Sequence, residues 1–125
     1  NSCSKESVSK TESSSSTTTT SESQTWVKLT AVTTSNEKKA NYTIMMFADS
    51  ATNSMPLPTI IQQVITDANG LAFFDLNTIV TSETPKKYYF EAFTPSGSNY
   101  TWKSISHVST SIKKGTMFTT GIIVN

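Results

Sequence analysis

From Trp26 onward, apolar and polar residues alternate in short runs broken by turn-forming clusters, with no helical period of useful length. Trp26 to Thr33 sets Val27, Leu29 and Ala31 on one face, with Lys28 and Thr30 on the other. After a charged turn over Ser35 to Asn41, the run Tyr42 to Asp49 (YTIMMFAD) is apolar on both faces, as a central strand must be. Met55-Pro56-Leu57-Pro58 is expected to be a loop, because proline cannot donate to a sheet ladder. Thr59 to Thr66 is rich in β-branched residues, and Asp67-Ala68-Asn69-Gly70 turns the chain tightly into Leu71 to Leu76.

Lys86 to Thr94 alternates again, with Tyr88, Phe90 and Ala92 against Lys87, Tyr89 and Glu91. Pro95-Ser96-Gly97-Ser98 leads into Tyr100 to Ser106, and Lys113-Lys114-Gly115 into a last strand over Met117 to Val124. The pattern therefore predicts an all-β fold, a seven-stranded antiparallel β-sandwich over residues 26–125.

Residues 1–25 break the pattern. Sixteen of these twenty-five are Ser or Thr, and only Cys3 and Val8 are apolar, whereas residues 26–125 hold the other 42 apolar side chains. Nothing in the leading segment offsets the entropy of ordering it, so a disordered linker is expected. Fully extended from Cys3 to Trp26 it would reach about 75 Å; as a coil, about 25–30 Å.

Charge narrows the function classes. The formal net charge is +1 and every basic residue is Lys, none Arg. Arg is the residue of choice for bidentate recognition of phosphate and guanine, so nucleic acid is not an expected partner. A single cysteine leaves no internal disulfide, and no apolar run approaches the roughly 20 residues that span a bilayer. The sequence begins at Asn rather than Met, and is expected to be a processed product or a fragment.

The residues suited to catalysis are sparse. His107, the one histidine, has Ser106, Val108, Ser109 and Thr110 around it in sequence and is expected to be a surface-loop residue. No Gly-x-Ser-x-Gly pattern occurs, so no catalytic residues are assigned and no enzyme activity is expected. Asp67 and Asn69 fall short of the about six oxygens a calcium loop needs; Asp67 is expected to brace its turn, and no metal or cofactor is expected. The aromatics are the candidate ligand-binding residues. Tyr100 and Trp102 share one side of a strand, Tyr89 and Phe93 share the more polar face of another, and exposed together they would make a platform on which sugars stack. Packing is the competing role for all four. Asn41-Tyr42-Thr43 and Asn99-Tyr100-Thr101 match N-glycosylation sequons, meaningful in a eukaryotic secretory host.

The run Thr66-Asp67-Ala68-Asn69-Gly70-Leu71-Ala72-Phe73-Phe74-Asp75-Leu76 resembles the TDxxGxaxF hairpin of transthyretin-like domains, including carboxypeptidase regulatory-like domains. With YYFEAFTPSG and the Lys-Lys-Gly turn that follow, it is similar to small Bacteroidetes cell-envelope lipoproteins over residues 26–125. The Pro-Val and Gly-Ala pair usual before the second strand is replaced by Lys39-Ala40-Asn41-Tyr42. The relatives of transthyretin that open a urate-derived ring use several His and Arg residues, which this chain lacks. Two roles compete for Cys3: an incidental thiol, or the lipidated first residue of a mature lipoprotein, since Asn1-Ser2-Cys3-Ser4-Lys5 resembles the end of a lipoprotein signal. Asp49-Ser50-Ala51 resembles a short O-glycosylation motif of exported Bacteroidetes proteins.

These resemblances imply a non-enzymatic module of the cell envelope, held at the outer membrane by a lipid on Cys3 and facing the periplasm or the cell surface. Its expected role is structural, or that of an accessory subunit of an outer-membrane assembly. The alternative is a glycan-binding or adhesive surface domain.

Overall fold

The computed structural model describes residues 24–54 and 56–125. Cys3, and the expected linker up to residue 23, lie outside the described residues. Thr25, counted with the linker on composition, belongs to the folded body. It is 1% exposed, its N–H donates to Asn77 Oδ1 (2.8 Å), and its Oγ1 accepts from Gly115 N–H (2.8 Å).

The described residues form an all-β sandwich of eight strands in two sheets: β1 (Trp26–Val32), β2 (Thr43–Phe47), β3 (Ile60–Ile65), β4 (Leu71–Asp75), β5 (Lys86–Ser96), β6 (Asn99–Trp102), β7 (Val108–Ile112) and β8 (Met117–Ile123). One sheet has the order β4-β1-β8; the other has the order β3-β2-β5-β6, with β7 also paired to β5. This corrects the expected count of seven. The strand missed is β7, whose VSTSI core carries apolar residues only at its two ends, Val108 and Ile112. The expectation of wholly antiparallel sheets is corrected too, because β1 and β8 pair in parallel, Trp26 opposite Met117 through Val32 opposite Ile123.

The two sheets enclose one apolar layer. Val27, Leu29 and Ala31 of β1 and Phe74 of β4 meet Ile44 and Met46 of β2 and Phe90 and Ala92 of β5. Phe74 and Phe90 close the gap edge to face, their centroids 5.2 Å apart. The Asp67–Gly70 turn is a corner between the sheets rather than a hairpin, because β3 and β4 belong to different sheets. Asp67 Oδ1 accepts from Asn69 N–H (2.8 Å) and Leu71 N–H (3.0 Å), and so braces that corner. Gly70, at φ +76°, is required there: a Cβ would lie 2.7 Å from the Ala31 carbonyl oxygen.

Every residue of β2 is buried, which accounts for its apolar character on both faces. One face looks into the sandwich. The other lies in a second cluster with Ala51 and Leu57 of the following loop. β5 is the long strand that organises this outer side. Its first half pairs with β7 (Lys86 to Phe90) and its second half with β6 (Phe93 to Ser96), leaving Glu91 and Ala92 at the junction. Residues 103–107 cross that junction: Lys103 N–H donates to the Ala92 carbonyl (2.8 Å), and Ala92 N–H donates to Ser104 Oγ (2.7 Å). The expected strand Tyr100 to Ser106 therefore stops at Trp102.

Candidate functional site

Alternation along β5 sends Tyr89, Glu91 and Phe93 to the outer face, where Met45 and Phe47 of β2 lie beside them. From β6, Tyr100 and Trp102 project to the same side, Trp102 directly opposite Phe93. The candidate residues Tyr89, Phe93, Tyr100 and Trp102 thus join one cluster. Their exposures differ, and this corrects the picture of a flat platform. Phe93 is 1% exposed and forms the floor, while Tyr89, Tyr100 and Trp102 are half-buried around it. Phe93 packs edge to face against Trp102 (5.4 Å), Tyr100 (6.3 Å) and Phe47 (6.4 Å).

Phe93, Tyr100 and Trp102 of this cluster line a cleft of about 240 Å³, closed on one side by Thr52, Asn53, Ser54 and Leu57 of the β2–β3 loop. Leu57 belongs to the loop expected from its prolines, but Thr52, Asn53 and Ser54 went unnoticed in the sequence. Their only sign was a polar stretch between an apolar strand and a proline pair. Thr52 and Ser54 are joined through their hydroxyls (2.9 Å), which sets the loop as a polar lip above an aromatic floor. Trp102 Nε1–H donates to the Ser104 carbonyl (3.0 Å), so the indole's only donor is engaged. Trp102 therefore offers a π face, and polar recognition falls to the loop side chains and the Tyr100 hydroxyl. Tyr89 packs against the cluster without lining the cleft, and Lys87 Nζ lies 5.6 Å from its ring centroid.

Behind Trp102 lies a pair that sequence order concealed. Glu91 is 2% exposed, and its Oε2 shares a 2.8 Å hydrogen bond with His107 Nδ1. Burial raises the Glu91 carboxyl above its ordinary range; hydrogen bonds from His107 and Ser104, and the His107 charge, offset that only in part. Its other oxygen, Oε1, is buried without a partner among the described residues. His107 is the exposed member, and its ring lies 5.9 Å from that of Trp102. The expected surface histidine is thus exposed, but it is oriented by a buried acid through Nδ1, leaving Nε2 for solvent or a ligand. A signal existed in KKYYFEAFT: Glu91 is the one acid in an otherwise apolar strand centre.

Among the described residues, no group of three or more His, Cys, Asp or Glu side chains is placed to hold a metal ion. No helix among them is long and apolar enough to cross a membrane. No family model and no curated protein matches this chain.

Proposed function

We propose that this chain is a non-enzymatic β-sandwich module of the cell envelope, tethered through Cys3, whose outer cleft binds a glycan. The observation that carries the binding role is the cleft itself: half-buried Tyr100 and Trp102 over Phe93, faced by Thr52, Asn53 and Ser54. A pyranose presents an apolar face of C–H groups and a rim of hydroxyls, and this cleft offers the complement of both. Stacking on the Trp102 face supplies contact area, and the loop side chains supply direction. The tether rests on the lipoprotein-like Asn1 to Lys5 run, and the envelope setting on the transthyretin-like resemblance of residues 26–125.

A glycan array probed with the full chain tests the binding role. The expected result is selective retention that Trp102→Ala abolishes while its far-ultraviolet circular dichroism stays that of a folded β protein. No binding by the unaltered chain to any glycan sinks the role. Mass spectrometry of membrane-extracted protein tests the tether separately, and an unmodified Cys3 would remove it.

A second role, accessory subunit of an outer-membrane assembly, is favoured by β3. This strand ends its sheet and exposes Ile65 (61%) and Ile60 (38%), a surface suited to strand addition. It predicts that Ile65→Lys releases the protein from a defined envelope complex without changing glycan retention.

A further inference from the structure

At the other end of β5 from the aromatic cleft, the β4–β5 connection leaves the mouth of the sandwich open. The groove there is about 380 Å³, within the range of about 300–1,000 Å³ typical of small-molecule sites. Its floor belongs to the inner apolar layer: Val80 is 4% exposed, Ile112 is fully buried, and Tyr88, 7% exposed, lines the groove with them. Ile79, 37% exposed, forms an apolar lip. An open groove with such a floor holds poorly bonded water, which an apolar body would displace favourably.

The charged groups around this mouth are mostly basic. Tyr88 is only 7% exposed, and its hydroxyl makes no hydrogen bond to another described residue. Lys86 Nζ stands 5.6 Å from the centroid of the Tyr88 ring, with no described carboxylate in salt-bridge range. Lys114 N–H donates to the Ser82 carbonyl (2.8 Å), which brings the Lys113–Lys114 turn against the same rim. Glu83 is the acid of that rim, against Lys86, Lys113 and Lys114.

We propose that this groove binds a small amphipathic anion. Its apolar or aromatic body lies on Val80, Tyr88 and Ile112, and its carboxylate or sulfonate meets Lys86 and the Tyr88 hydroxyl. The site is separate from the Trp102 cleft and independent of the glycan role, since the two lie at opposite ends of β5.

The test uses 1-anilinonaphthalene-8-sulfonate as the anionic probe and N-phenyl-1-naphthylamine as its uncharged counterpart. Binding is followed by fluorescence and located by amide shifts in 15N-labelled protein. The expected result is saturable one-site binding of the sulfonate, with shifts confined to residues 79–88 and the neighbourhood of Ile112. Lys86→Gln, on an exposed side chain, should weaken it by roughly tenfold, the loss of one charge-assisted hydrogen bond. Ile79→Ser should weaken both probes while leaving the fold intact. Equal affinity for the two probes, indifference to Lys86→Gln, or shifts centred on Phe93 and Trp102 would each overturn the proposal.

Discussion

The two faces of β5 carry nearly the same number of large side chains and do opposite work with them. Inward, Tyr88, Phe90 and Ala92 meet the three-stranded sheet in a continuous apolar layer. Outward, Tyr89, Glu91 and Phe93 meet only a loop, a short strand and the 103–107 crossover. A facing sheet excludes water from the middle of that layer, around Phe90 and Ala92, and leaves no place for a charge there. A loop covers in patches, so the outer face keeps a cleft beside Phe93 and a buried carboxylate at Glu91. Burial alone therefore does not separate core from site, because Phe90 and Phe93 are both essentially inaccessible. What separates them is whether the covering layer is a sheet or a loop.

The sharpest way to break this comparison is to truncate the two phenylalanines. Phe90→Ala should cost about 3–5 kcal/mol by chemical denaturation, since its cavity opens between two sheets that cannot close. Phe93→Ala should cost less, about 2–3 kcal/mol, because its void adjoins a cleft that water already enters. Equal losses would make the outer cluster a second core and remove the distinction.

Next in size is Ser104→Ala. It strips the hydroxyl that accepts from Ala92 N–H at the strand junction, and a loss of about 1–2 kcal/mol is expected. Native-state hydrogen exchange should show the Ala92 amide exposed, with β1 and β4 unchanged. Loss of protection throughout would mean that the junction holds both faces together.

Glu91→Gln should have the smallest effect at one pH and the clearest across several. The Glu91 carboxyl is raised on folding, so the native state holds its proton more tightly than the unfolded chain. This contribution is fully present below the ordinary carboxylate value, falls as pH rises through the raised value, and is constant above it. Glu91→Gln should flatten that fall and change stability at neutral pH by about 1 kcal/mol, because the amide oxygen still accepts a hydrogen bond where the carboxylate did. An unaltered slope in denaturation midpoints between pH 4 and 7 would show that the carboxylate does not titrate with folding.

Much of this layout was legible in the chain. Alternation in WVKLTAV and KKYYFEAF told which side chains turn inward, because strand period alone fixes that. Asp67 and Gly70 announced their corner through local chemistry that needs no distant partner. The candidate aromatics were nameable for the same reason, as residues on one side of their strands. What β7 lacked was a local signal, since VSTSI has weak alternation and becomes a strand only because β5 offers it an edge.

The sequence by itself determined the strand class, the inward residues and the turn at Gly70, all of which depend on neighbours a few positions away. Tertiary structure alone decided the rest. It set β1 parallel to β8, put Phe93 opposite Trp102 under the cover of a loop, and carried His107 sixteen positions back to Glu91. Each of these is a pairing between distant segments, fixed by which edge is open and what covers it, and alternation carries no information about either.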